Sequence, residues 1–196
     1  MKKLLAIMGS QRINKNTNAA LDAFLEGIGE EVEVKKVNLR EFKINHCTQC
    51  DYCWSTGQCI FKDDMQEMYK LLDESDYVVL ASPVYFNSVN GMSKAMIDRC
   101  QRYYGIKFSY GREKIEIKNK VGIFIATGGA KFTMDQFLGS RLVVDHFFMV
   151  INAKYLGNYF VSETDDYPVM DNLQIKGELK QIGENLGSLR KFQIQR

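Results

Sequence analysis

Four of the chain's five cysteines fall within thirteen residues, in the pattern Cys47-x2-Cys50-x2-Cys53-x5-Cys59. Thiolates this closely spaced ligate soft metals or exchange disulfides. Three cysteines at x2 spacing can wrap one loop around an iron–sulfur cubane. In the comparable bacterial ferredoxin run the fourth cysteine serves another cluster. Here Cys59 lies six residues on, and Ser55-Thr56-Gly57 offers a turn to bring it back. Other chemistries fit the same residues. Zinc sites usually use two knuckles with a longer spacer, so this span is tight for a tetrahedral ion. A metal-free dithiol pair and a purely structural loop are further readings. Tyr52 and Trp54 flank the thiols, where they would shield a cluster from water or form an interface patch. Cys100 reads as an inert buried thiol, His46 as a loop residue and His146 as a core histidine.

A second set of candidates lies in three loops, each following an apolar run. The first joins Ser10, Arg12, Asn16, Thr17 and Asn18 to a helix start. Hydroxyls, amides and free N–H groups at a helix N-terminus form an anion site, and a guanidinium adds a charge-assisted contact. An ordinary turn with Asn16 or Thr17 as N-cap is the plainer alternative. The loop matches neither a Walker nor a dinucleotide pattern. A single terminal phosphate, as on FMN, suits it better. The second loop holds Pro83, Val84, Tyr85, Phe86 and Asn87. Flat apolar walls with a few aimed polar groups are what an isoalloxazine ring needs, although core aromatics on a surface turn would look similar. The third is Thr127-Gly128-Gly129, where glycines let backbone approach a ligand, or simply make a turn. Lys94 and Asp98 read as an i,i+4 surface pair. No residue is assigned as catalytic, because in cofactor chemistry of this kind the cofactor reacts.

Positioning these loops requires an alternation of elements. Leu4–Met8, Glu31–Val37, Tyr77–Ala81, Val121–Ala126 and a stretch near 153–161 read as strands, several apolar enough to be buried on both faces. Helices are expected over Ala19–Ile28, from Asp63-Asp64 to about Leu72, from Met92 to about Tyr104, near 133–149 and near 172–193. Residues 38–63 read as irregular, and Ser82–Gly91 as a loop. The expectation is an α/β fold: a doubly wound five-stranded parallel sheet with helices on both faces, its ligand crevice at the carboxyl ends of the strands.

Gly9-Ser10-Gln11-Arg12-Ile13-Asn14-Lys15-Asn16-Thr17 resembles the phosphate loop of the flavodoxin-like NAD(P)H-dependent FMN reductases. Ser82–Ser88 resembles their isoalloxazine loop, and Met92–Arg99 the helix after it. The compact cysteine spacing is similar to that of the iron–sulfur flavoproteins, a branch of the same superfamily. The resemblance covers roughly residues 3–130. It implies a flavodoxin-like fold, one FMN, one 4Fe-4S cluster on Cys47, Cys50, Cys53 and Cys59, and electron transfer between them. It assigns Thr127-Gly128-Gly129 to the pyrimidine side of the flavin. It also implies a homodimer or homotetramer, and NAD(P)H or an electron-carrier protein as donor to a small-molecule acceptor. A cluster-free FMN or quinone reductase and a small flavodoxin-type carrier stand as alternatives.

Bulk properties narrow the class. The 196 residues are read as one domain, 1–196, with a cysteine-rich loop at about 44–62. A formal charge of +2 without a basic cluster gives no footprint for nucleic acid, and is unlike the strongly acidic short flavodoxins. No run approaches the roughly 20 apolar residues of a membrane span. The five-residue run Leu4–Met8 is too short for a signal peptide. A cytoplasmic protein is expected.

Overall fold

The computed structural model describes residues 1–110 and 116–196. Strands and helices run β1 (Lys2–Met8), α1 (Asn16–Leu25), β2 (Val32–Asn38), α2 (Tyr52–Thr56), α3 (Met65–Glu74), β3 (Tyr77–Tyr85), β4 (Ser88–Val89) and α4 (Gly91–Arg99). They continue α5 (Gln101–Gly105), β5 (Lys120–Thr127), α6 (Leu138–Val150), β6 (Ala153–Val161), α7 (Leu173–Glu184) and β7 (Phe192–Gln195). The sheet order is β2-β1-β3-β5-β6-β7, all parallel, with β4 antiparallel on the end of β3. The chain leaves β1 to one side for β2 and returns on its other side as β3. A crevice opens beside the carboxyl ends of these strands at that switch point.

Alternating side chains divide the core. Leu4, Ala6 and Met8 of β1 pack with Leu21 and Phe24 of α1 and Leu179 of α7. Leu5 and Ile7 pack on the other face with Met68 and Leu72 of α3, Met96 of α4 and Phe147 of α6. This two-sided burial follows from the wholly apolar run, since each residue step reverses the face. On one face α1 and α7 approach closely. A Cβ at Gly183 would lie 2.2 Å from the Phe24 carbonyl oxygen, so only glycine permits the contact.

The expectation of five strands is corrected to seven. The helix expected over 172–193 ends at Glu184, and Phe192-Gln193-Ile194-Gln195 pairs with β6 instead. Its period-two pattern places Phe192 and Ile194 against the core. The Arg196 backbone N–H continues the pairing to the Phe160 carbonyl at 2.9 Å. The other addition is β4, which turns part of the expected 82–91 loop into a hairpin. The expected helix from Met92 is divided at Cys100 into α4 and α5, and the segment read as irregular contains α2. His146 is exposed on α6 rather than in the core. Among the described residues, no helix is long and apolar enough to cross a membrane.

Candidate functional site

The three loops meet in one crevice of about 220 Å³ at the carboxyl edge of the sheet. Ser10, Arg12, Asn16 and Thr17 line it from the first loop, Pro83, Val84 and Tyr85 from the second, and Thr127 and Gly129 from the third. Asn14 adopts the left-handed region (φ 54°), and the chain then enters α1 with no side chain capping its first turn. Main-chain N–H groups there are left to a ligand or water. Ser10 Oγ accepts from the Arg12 backbone N–H at 3.1 Å, which shapes the loop. The hydroxyls of Thr17 and Thr127 lie 2.6 Å apart, both buried, and tie the first loop to the third.

Other expected residues are placed differently. The Asn16 side chain is occupied: Nδ2 donates to the Thr164 carbonyl at 3.0 Å, and Oδ1 accepts from Val169 N–H at 2.9 Å. Its main-chain N–H is what it can offer a ligand. The Asn18 side chain bonds Asp22 and Lys36 instead of lining the crevice. Gly128 lies just behind the lining, its carbonyl accepting from Thr164 Oγ1 at 3.1 Å. Phe86 and Asn87 form the tip of the β3–β4 hairpin, beyond the crevice. Both have positive φ, 51° and 57°, as a two-residue type I′ turn requires. That geometry is ordinary for Asn and uncommon for Phe, whose side chain is fully exposed.

Several residues went unnoticed in the sequence, among them Lys15, which lines the crevice beside Asn16. Thr164 and Asp165 also line the crevice, following β6 at the same edge. Their signal was the polar run Ser162–Asp165 directly after a buried strand. Asn90 caps α4 by accepting from Ser93 N–H at 3.0 Å, while its Nδ2 donates to the Gly9 carbonyl. An Asn-Gly pair before a helix is the N-cap signal for it.

All four clustered cysteines line a second cavity. Gln49, Asp51 and Gly57 have φ of 52°, 58° and 69°, and these left-handed residues curl the segment around it. Each cysteine is free, with Cys50 exposed and the other three partly buried. Burial pushes the Cys53 thiol up to about 11, and the neighbouring cysteines add to the shift. A bound metal would reverse this by stabilising the thiolate. Among the described residues, no three His, Cys, Asp or Glu side chains are placed to hold a single metal ion. The four thiols share this one cavity, and thiolates are the ligands that iron–sulfur groups take. Cys100 is fully buried, as expected, and lies outside this lining. Trp54 lines the cavity and Tyr52 does not.

Beneath the thiols lies an ion pair that sequence reading passed over. Arg99, at the end of α4, donates from Nη1 to Asp63 Oδ2 at 2.6 Å and from Nη2 to Oδ1 at 3.0 Å. Nη1 also donates to the Asn45 carbonyl at 2.8 Å. Burial would raise the Asp63 pKa, but hydrogen bonds from Arg99 and Asn45 outweigh it and hold it at about 2. Lys94 and Asp98, in contrast, form the expected surface pair at 2.6 Å.

The fold and crevice define an α/β protein with a parallel sheet whose strand-end loops converge at one switch point. A family model described as NADPH-dependent FMN reductase matches residues 2–165. Two proteins of Archaeoglobus fulgidus named iron-sulfur flavoprotein are similar to this chain. One is 43% identical over 102 residues, covering 52% of this chain and 46% of its own length. The other is 34% identical over 153 residues, covering 76% and 72%. The chain thus spans under half the length of the first relative. A solved NAD(P)H:quinone oxidoreductase from Methanothermobacter marburgensis shares the fold at a TM-score of 0.69, with 13% identity, covering 94% of this chain and 98% of that one. The chain belongs to the NADPH-dependent FMN reductase family, in its iron–sulfur flavoprotein branch.

Proposed function

We propose that FMN sits in the carboxyl-edge crevice and that Cys47, Cys50, Cys53 and Cys59 hold one 4Fe-4S cluster. Convergence of the three loops on one crevice carries the flavin reading. In it, Ser10, Arg12, the Asn16 backbone N–H and Thr17 hold the phosphate. Pro83, Val84 and Tyr85 wall the ring on one side, with Thr127, Gly128 and Gly129 on the other. Bound FMN supplies two-electron hydride chemistry and one-electron exchange. The chain's own residues orient it, and the uncapped first turn of α1 contributes a fixed partial positive charge. The shared thiol-lined cavity supports the cluster. The donor is NAD(P)H or an electron-carrier protein, and the acceptor a small molecule. Neither nucleic acid nor membrane is a partner, and the compartment is cytoplasmic. The exposed apolar residues Leu138, Leu142 and Met149 on α6 support assembly as a homodimer or homotetramer.

Two measurements test this. Chain saturated with flavin, then denatured, is expected to release FMN rather than FAD, and failure to bind added FMN overturns the flavin reading. Anaerobic reconstitution with iron and sulfide is expected to give about four irons per chain, as one cubane requires. Iron-free protein that keeps FMN and oxidises NAD(P)H selects a cluster-free FMN or quinone reductase.

A further inference from the structure

The Arg99 side chain is completely buried, and its guanidinium is only partly used. Asp63 and the Asn45 carbonyl engage Nη1 and Nη2, and the Phe61 ring lies 4.9 Å from the guanidinium carbon. Two N–H groups remain, the second on Nη2 and the Nε–H, and the Nε–H is buried without a partner. Such a group carries its full desolvation cost unless something supplies an acceptor. Arg99 lines the same cavity as the four thiols, and Cys59 is among the groups acting on its guanidinium. The neighbouring Arg102 has no such surplus, because its Nε donates to the Gly57 carbonyl at 2.9 Å.

We propose that Arg99 Nε–H donates to a sulfur of the group held by these cysteines, on its Cys59 side, and thereby raises its reduction potential. This rests on the cluster reading above. Asp63, Asn45 and Phe61 fix the guanidinium, so the donor is already placed when the cavity fills. A donor to sulfur favours the more electron-rich reduced state, which raises the potential. Reduction adds one electron, breaks no bond and moves no proton, and Arg99 stays cationic throughout. Arg99 is therefore a positioning residue that acts on the potential.

The test uses the full chain, reconstituted anaerobically with iron and sulfide and titrated with dithionite. Cluster reduction is followed by electron paramagnetic resonance and FMN by absorbance. Arg99→Lys keeps the positive charge but lacks the Nε donor. The double variant Arg99→Met with Asp63→Asn removes both charges, so no buried ion is stranded. In each, the reduced-to-oxidised ratio at fixed ambient potential is expected to fall about tenfold, or ~59 mV for one electron. The FMN midpoint is expected to stay in place. A variant that keeps FMN and its far-ultraviolet dichroism but loses iron overturns the proposal, because Arg99 then supports the cysteine segment rather than setting the potential. Iron-loaded variants with the wild-type midpoint overturn it and leave the cluster reading standing. A wild-type chain that takes up no iron overturns both.

Discussion

Replacing Asp63 by Asn measures how much of this corner rests on one carboxylate. Its Oδ2 accepts from Arg99 Nη1 at 2.6 Å, Asn45 N at 2.9 Å and Asn45 Nδ2 at 3.1 Å. Its Oδ1 accepts from Arg99 Nη2 at 3.0 Å and Met65 N at 3.3 Å. An amide offers one oxygen where the carboxylate offers two, so its nitrogen must face a donor. An acid whose pKa is lower when folded stabilises the fold above its unfolded pKa. That contribution is lost as pH falls through the folded value. For Asp63 the window runs from its ordinary 3.8 down to about 2. A depression of this size stabilises the fold by roughly 2 kcal/mol at neutral pH, and stranding one partner of a buried pair costs up to about 5 kcal/mol. Asp63→Asn is therefore expected to cost about 2–4 kcal/mol, or roughly 5–12 °C in Tm for a domain of this size. Urea unfolding of both proteins at pH 7, 5 and 3 reads it, and the gap should narrow toward pH 3. A gap that stays constant with pH would show that the charged pair is not its source.

Three further outcomes are expected. Arg12→Ala should weaken FMN more than riboflavin, by about 1.5 kcal/mol, the lower end for a charge-assisted bond because Arg12 is exposed; equal weakening in titration calorimetry would show that Arg12 does not touch phosphate. Changing any one of Cys47, Cys50, Cys53 or Cys59 to Ala should lose or degrade bound iron while FMN remains. Cys100→Ala should leave iron unchanged, and iron analysis after anaerobic reconstitution distinguishes these cases. Thr17→Val strands the buried Thr127 hydroxyl and should destabilise the protein by about 1–3 kcal/mol in thermal unfolding, whereas Thr17→Ser should largely preserve stability.

What the sequence made legible follows from how local each signal is. The central strands announced themselves because a strand buried on both faces must be apolar throughout. The three loops followed, since a parallel sheet sends every strand end to the same edge. β7 was hidden because four alternating residues after a charged helix carry little signal, and its pairing with β6 is tertiary. Arg99 was hidden for a related reason. An arginine beside Asp98 on a helix reads as solvated surface, and only contact with Asp63, thirty-six residues away in sequence, reveals it as buried. Asn18 erred the other way. Its type and position suit a phosphate loop, yet one step past Thr17 on a helix turns it about 100° away, toward Asp22 and Lys36.

The two candidate sites lie in separate stretches of sequence, yet α4 joins them. Its cap Asn90 donates to the Gly9 carbonyl, and Met92 Sδ accepts from Gln11 Nε2 at 2.9 Å, so its first turn is fastened to the loop after β1. Its last residue, Arg99, lines the thiol cavity. Nine helical residues at about 1.5 Å each set these ends roughly 13 Å apart. Met96, fully buried between them, packs the helix onto the sheet. Loop insertions elsewhere leave this spacing alone, because helix geometry holds it. A change that tilts α4 is expected to disturb the carboxyl-edge crevice and the cysteine cavity together. Met96→Ala separates the two possibilities, since independent sites would not shift in concert when that one buried contact is removed.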